Sequence, residues 1–295
     1  MVDFLLGPFA DNEFLRQSLM AGILVACICA VAGTFVVLRG LAFVGDALAH
    51  GVVPGVATAT LLGVSGIFGA AIGAIVMMTG VALVSRRFRM SSDTSIGLLF
   101  VGMLALGVII TSRSSSFSGD ITEILFGEVL GISDADLWWQ AVALMVVGAI
   151  AWVCRRPFLL LSIDEGLAQT SGFSVHRYHN MMLGMVALTV VASFQTVGTL
   201  LVLGMLIAPA ATGVLFARRV STVMLTAAGV GILSTYVGLL LSYHADLAAG
   251  ASIILVTVLI FALCAIVVEI QRWRGHRKDI HHDHEQPHIH AQVHL

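Results

Sequence analysis

The chain has 295 residues, 58% of them hydrophobic and 11% charged, with a mean hydropathy of +1.00. Soluble domains carry about 25% charged residues, so a water-facing polar surface is excluded. A net charge of -2 leaves nothing to attract nucleic acid.

In chain order, apolar runs near the roughly 20 residues of a bilayer crossing predict an all-α polytopic membrane protein with eight to nine transmembrane helices. The candidates are 16–38, 43–64, 66–85, 94–111, 137–154, 180–195, 197–217, 221–242 and 249–270. The sixth and seventh share one stretch, with a break expected at Ser193-Phe194-Gln195-Thr196-Val197-Gly198. In the loop 112–136, Ile124-Leu125-Phe126-Gly127-Glu128-Val129-Leu130-Gly131 is apolar but too short to span. It is expected to dip into the outer face under a cover of protein. The loop 155–179 is the longest inner connection and the expected docking site for a soluble partner. Residues 1–275 form the membrane domain and 276–295 a polar tail, disordered until metal binds. The N-terminal acids Asp3, Asp11 and Glu13 do not resemble the basic start of a signal peptide.

The basic residues orient this layout. With the C-terminus in the cytoplasm and the N-terminus outside, Arg39, Arg86, Arg87, Arg89, Arg155, Arg156, Arg177, Arg218, Arg219, Arg272, Arg274, Arg277 and Lys278 all fall on the inner side. Only Arg16 and Arg113 fall outside, as the positive-inside rule requires. The outer segments hold Asp3, Asp11, Glu13, Asp120, Glu123, Glu128, Asp134, Asp136 and Asp246, a surface that would concentrate cations. Cys27, Cys29, Cys154 and Cys264 lie in apolar stretches without a CxxC pair and are read as small hydrophobes. The sole lysine, Lys278, follows Arg277, so no Gly-Lys-Ser/Thr phosphate loop exists. Energy must come from a separate ATPase or an ion gradient.

Charge inside a bilayer is a functional signal by default. Asp46 and His50, four residues apart, share one helix face and can hold a divalent cation together. The plainer alternative is a helix cap by Asp46 and a buried His50. His244 and Asp246 are a possible outer entry site, although a solvated loop explains them as well. His176 and His179 read as interfacial anchors. The tail holds His276, His281, His282, His284, His288, His290 and His294, seven of the eleven histidines. Imidazole suits zinc, copper and nickel, so a cytoplasmic metal sink or sensor stands beside an inert tail.

Leu38-Arg39-Gly40-Leu41-Ala42-Phe43-Val44-Gly45-Asp46-Ala47-Leu48-Ala49-His50, followed by Pro54-Gly55, resembles the signature of the manganese/zinc permease family of ABC importers. Asp93-Thr94-Ser95-Ile96-Gly97, Leu125-Phe126-Gly127, Val197-Gly198 with Pro209-Ala210-Ala211, and Gly250-Ala251 agree in order, covering about residues 15–270. The resemblance implies an inverted-repeat type II importer permease in the inner membrane, related to vitamin B12 and siderophore permeases. It implies a homodimer above two cytoplasmic ATPase chains, fed by an external metal-binding protein. It also implies no permanent cofactor, zinc or manganese as cargo, and ATP used by the partner. Asp46 and His50 map onto the metal route, and Asp164, Glu165, Ala168 and Gly172 onto the ATPase-coupling segment. Ala49 stands where members commonly have serine, and Ala248-Ala249-Gly250 where they often have Pro-x-Gly. Zinc is expected over manganese because of the histidine tail. An ion-gradient-driven carrier and a siderophore-type permease are the competing expectations.

Overall fold

A computed structural model describes residues 7–9, 12–88, 92–112 and 132–283. The apolar segment Ile124–Gly131, the acids Asp3, Asp11, Asp120, Glu123 and Glu128, and tail residues 284–295 lie outside the described residues.

In hydrocarbon every peptide group needs an internal partner, so long apolar runs become helices. In chain order these are α1 (Glu13–Leu38), α2 (Ala42–Gly51), α3 (Val53–Leu61), α4 (Gly66–Phe88), α5 (Ser92–Ser112), α6 (Asp134–Val153), α7 (Arg155–Ile163), α8 (Glu165–Thr170), α9 (Val175–Phe216), α10 (Val220–Ala245) and α11 (Ala249–Asp283). Seven segments are long and apolar enough to cross a membrane among the described residues: α1, α2 with α3, α4, α5, α6, α10 and the first part of α11.

α9 has 42 residues, about 63 Å if straight, twice the hydrocarbon thickness. It is not straight. Gly198 has φ 72° and ψ 165°, a conformation essentially reserved for glycine, and it breaks the helix into two arms. Before the break, His179 lies beside Arg39, while Leu188 and Val191 line one recess with Ile67 and Trp139 from the first turns of α4 and α6. After it, the Val202 carbonyl meets the Cys29 thiol and the Leu206 carbonyl lies against Gly33. The second arm therefore runs back beside α1, toward the Arg39 end. These arms occupy the sixth and seventh expected spans, and the break falls inside the expected stretch.

Around α9 pack α1, α11, α10, α2, α4 and α6, and α1 also touches α10 and α6. α1 is the innermost crossing, with 67% of its apolar window buried, against 22% for α5, α6 and α11. Gly33 allows α1 and α9 backbones to touch, since a Cβ there would collide with the Leu206 carbonyl. Gly55 and Gly69 do the same between α3 and α4.

Most hydroxyls inside the bundle are satisfied by their own helix. Thr34, Thr58, Thr189, Thr212, Thr235 and Thr257 each donate to the carbonyl four residues back. They need no ion or water to explain them.

The expected polar loop 155–179 is instead two short helices. Pro157, Phe158 and Leu161 are buried, and the Phe158 ring meets Phe35 edge-on at 5.2 Å. α11 continues through Gly275 to Asp283, so the backbone of the first tail residues, His281 and His282 included, is helical. The remaining tail histidines, His284, His288, His290 and His294, are outside the described residues.

Candidate functional site

Three residues separate α1 from α2. Arg39 caps α1, Gly40 turns the chain with φ 68°, and the Leu41 N–H returns to the Val36 carbonyl at 2.9 Å. This tight turn starts α2 at the Arg39 end of the bundle, with Asp46 about 6 Å and His50 about 12 Å along its axis. Gly45 faces α9, where its Cβ would meet Leu206 Cδ2 at 2.7 Å. Ala47, Leu48 and Ala49 are buried in the core. The residue types around the pair thus decide its direction: apolar and small residues face α9 and the core, and Phe43, Asp46 and His50 share the partly exposed face turned toward α5.

His50 Nε2 lies 3.5 Å from Asp46 Oδ1, and the two side chains are 25% and 26% exposed. The His50 ring rests edge-on against Phe100 of α5 at 5.5 Å, and Phe100 also meets Phe43 at 6.1 Å. Neither side chain has another polar partner among the described residues, unlike the threonines nearby. The expected pairing therefore exists, and the Asp46 side chain makes no cap bond at the start of α2. A nitrogen and a carboxylate oxygen this close can ligate one divalent ion. No group of three His, Cys, Asp or Glu able to hold a metal occurs among the described residues. Among the described residues, one chain thus brings two candidate ligands together here.

At the opposite end, His244 closes α10, with Nδ1 at 2.9 Å from the Leu240 carbonyl and its ring against Tyr243. Asp246 is the helix C-cap in the left-handed region, φ 50°, and the Ser242 hydroxyl donates to the Leu247 carbonyl. Both residues are accounted for as the end of a helix.

The segment expected to meet an ATPase is built more tightly than its sequence suggests. Asp164 caps α8, its carboxylate accepting the Leu167 N–H at 2.9 Å. Ala168 is fully buried and pins α8 against the bundle, and Gly172 turns the chain toward α9 with φ 84°. Glu165 accepts from Arg39 Nη2 at 2.6 Å, joining α8 to the α1–α2 turn. His179, on the first turn of α9, completes this cluster. Burial, then the Arg39 charge, lowers its pKa from the ordinary 6.5 to about 4. Expected as a membrane-surface anchor, it stands near the start of α9 beside Arg39 and Glu165. Sequence reasoning missed this cluster because its members lie far apart in the chain; the apolar Pro157-Phe158-Leu159-Leu160-Leu161 run was the available hint that the segment is folded.

An all-helical bundle with basic residues gathered at one end, an Asp–His pair in a broken span and a capped helix presented at that basic end is a multi-pass transport subunit. The family model for the ABC 3 transport family matches residues 11–268. The chain belongs to this family, the manganese/zinc type of ABC importer permeases. It is 37% identical over 279 residues to "Manganese transport system membrane protein MntC" of Halalkalibacterium halodurans, covering 93% of this chain and 96% of that one. It is 35% identical to "Manganese import system permease protein ScaB" of Streptococcus gordonii, covering 89% and 94%. Among solved structures it is similar to PsaBC from Streptococcus pneumoniae in complex with Fab, with a TM-score of 0.80 and 31% identity over 90% of this chain and 95% of that one.

Proposed function

We propose that this chain is the inner-membrane permease of an ATP-driven importer for a divalent transition metal, with Asp46 and His50 lining the metal route. The observation that carries this is the Asp46–His50 contact at 3.5 Å; on this reading a second copy across a dimer axis brings the ligands to four. The basic end faces the cytoplasm, putting the N-terminus outside and the C-terminus inside, as the positive-inside rule requires. There Asp164, Glu165, Ala168 and Gly172 present α8 to a separate ATPase, one for each copy. An external binding protein delivers the ion at the other end, where α10 ends with His244 and Asp246. The chain itself makes and breaks no covalent bond; it alternates access while its partners hydrolyse ATP.

Manganese ranks first as cargo. The relatives named above carry manganese in their names, and the match runs through the membrane domain that contains the route. An Asp–His pair suits a metal of intermediate hardness. Zinc is the second reading, and it rests on the tail histidines His281, His282, His284, His288, His290 and His294, which we propose as a cytoplasmic metal-binding segment.

The test is metal accumulation in cells lacking their own importers, with this chain expressed beside its ATPase and binding protein. Asp46→Ala and His50→Ala are each expected to reduce manganese uptake at least about tenfold at unchanged protein level, since a lost ligand typically costs that much affinity or more. Uptake at wild-type rates in both would return the pair to a packing role. An ATPase that copurifies with the tagged chain separates this reading from an ion-gradient carrier, which brings none down.

A further inference from the structure

We propose that Arg39, Glu165 and His179 form the joint that transmits movement of α8 to the helix carrying Asp46 and His50. This rests on the permease reading above and names the residues through which its two halves communicate.

The geometry is specific. Arg39 is the last residue before the turn into α2, seven positions ahead of Asp46, so its position sets the position of the metal pair. Its side chain is only 9% exposed, whereas Glu165 is 60% exposed at the head of α8. A guanidinium held nearly out of water is thus anchored to a carboxylate that sits on the surface helix. Displacing α8 must either drag the α1–α2 turn with it or strand a buried charge, and the second course is strongly disfavoured.

A second observation points the same way. Arg39 Nη1 and His179 Nδ1 are both buried without a hydrogen-bond partner among the described residues. Buried polar groups are nearly always paired, so two unused positions at one junction are available to a second arrangement of the cluster. In the arrangement seen here Glu165 is bound to Nη2 alone. A shift of α8 can bring its carboxylate toward Nη1 or toward the His179 ring. Beside these residues lies an open recess of about 700 Å³, lined by Glu165, Gln169, Phe173, Ser174, His176 and His179. It leaves α8 room to move against α9. The three members come from the α1–α2 turn, α8 and the first turn of α9, the elements whose relative placement must change if the docking surface and the metal pair are coupled.

Arg39 and Glu165 are therefore positioning residues: neither touches the ion. The test uses the complete transporter, with ATPase and binding protein, in proteoliposomes. Manganese uptake and ATP hydrolysis are measured together for wild type, Glu165→Gln, His179→Leu and the charge swap of Arg39→Glu with Glu165→Arg. Glu165→Gln is expected to lower manganese ions moved per ATP about tenfold, the scale of an ordinary coupling energy, while the ATPase stays bound; its thermal midpoint falls too, because the buried Arg39 loses its ionic partner, so the ratio is read on folded, reconstituted protein. The swap is expected to recover part of that ratio; a purely structural role predicts recovery of folded protein with the ratio unchanged throughout. An unchanged ratio in Glu165→Gln, whether both rates stay intact or both fall together, overturns the joint. Absence of ATP-dependent manganese uptake in wild type would instead count against the permease reading, so the two failures are told apart.

Discussion

Burial and the Arg39 guanidinium hold the His179 imidazole near 4, well below its usual 6.5, with Glu165 pulling the other way. The unfolded chain takes up this proton below about 6.5 and the folded chain only below about 4. Between those values the unfolded state binds more protons, so stability rises with pH across the window and is level above it. Acidifying purified protein from pH 7 to pH 5 is expected to lower its thermal midpoint, and His179→Leu should shrink that decrease. Equal decreases in the two proteins would show that His179 is not buried neutral. At the same scale, the Asp46–His50 contact needed only the i, i+4 rule, and the structure adds which way the pair faces. Nothing in residue types could pair Arg39 with Glu165, 126 positions later.

The element that carries the strongest local constraint is α9. Its two arms reverse at Gly198, whose φ and ψ suit only a residue without Cβ. Gly198→Ala is expected to cost about 1–3 kcal/mol, seen as a lower thermal midpoint in detergent. Gly148→Ala is the control: its Cβ would meet nothing within 4 Å in the middle of α6, so it should be neutral or gain up to about 1 kcal/mol. The polar break in an otherwise continuous apolar stretch placed this reversal within a few residues from sequence. α7 and α8 were hidden for a different reason. They are too short and too mixed in character to stand out as apolar runs, and Phe158 and Ala168 become core residues only because α1 and α9 stand beside them.

Across the whole molecule, the two ends of the bundle separate the charges. Arg39, Arg87, Arg155, Arg156, Arg177, Arg218 and Arg219 lie at the ends and starts of helices that meet at one side. Glu13, Asp134, Asp136 and Asp246 gather at the other, where Gln17 donates to Asp134 and joins α1 to α6. The tail stands apart from the membrane route. A chain ending at Gly275 is expected to retain manganese uptake while losing zinc capture by the tail, measured by equilibrium dialysis of the purified proteins. Loss of uptake at normal protein level would make the tail part of transport.

By itself the sequence determined the class of molecule, the positions of the long helices, the side on which the basic residues gather and the Asp46–His50 pair. Each follows from local facts: segment length against bilayer thickness, charge asymmetry between loops, and the periodicity of one helix. The tertiary structure alone decided the rest. It set α9 against α1 through Gly33, turned the Asp46–His50 face of α2 toward α5, and brought Arg39, Glu165 and His179 together. Those contacts join residues distant in the chain, and only close packing, which has no signature in local composition, brings them together.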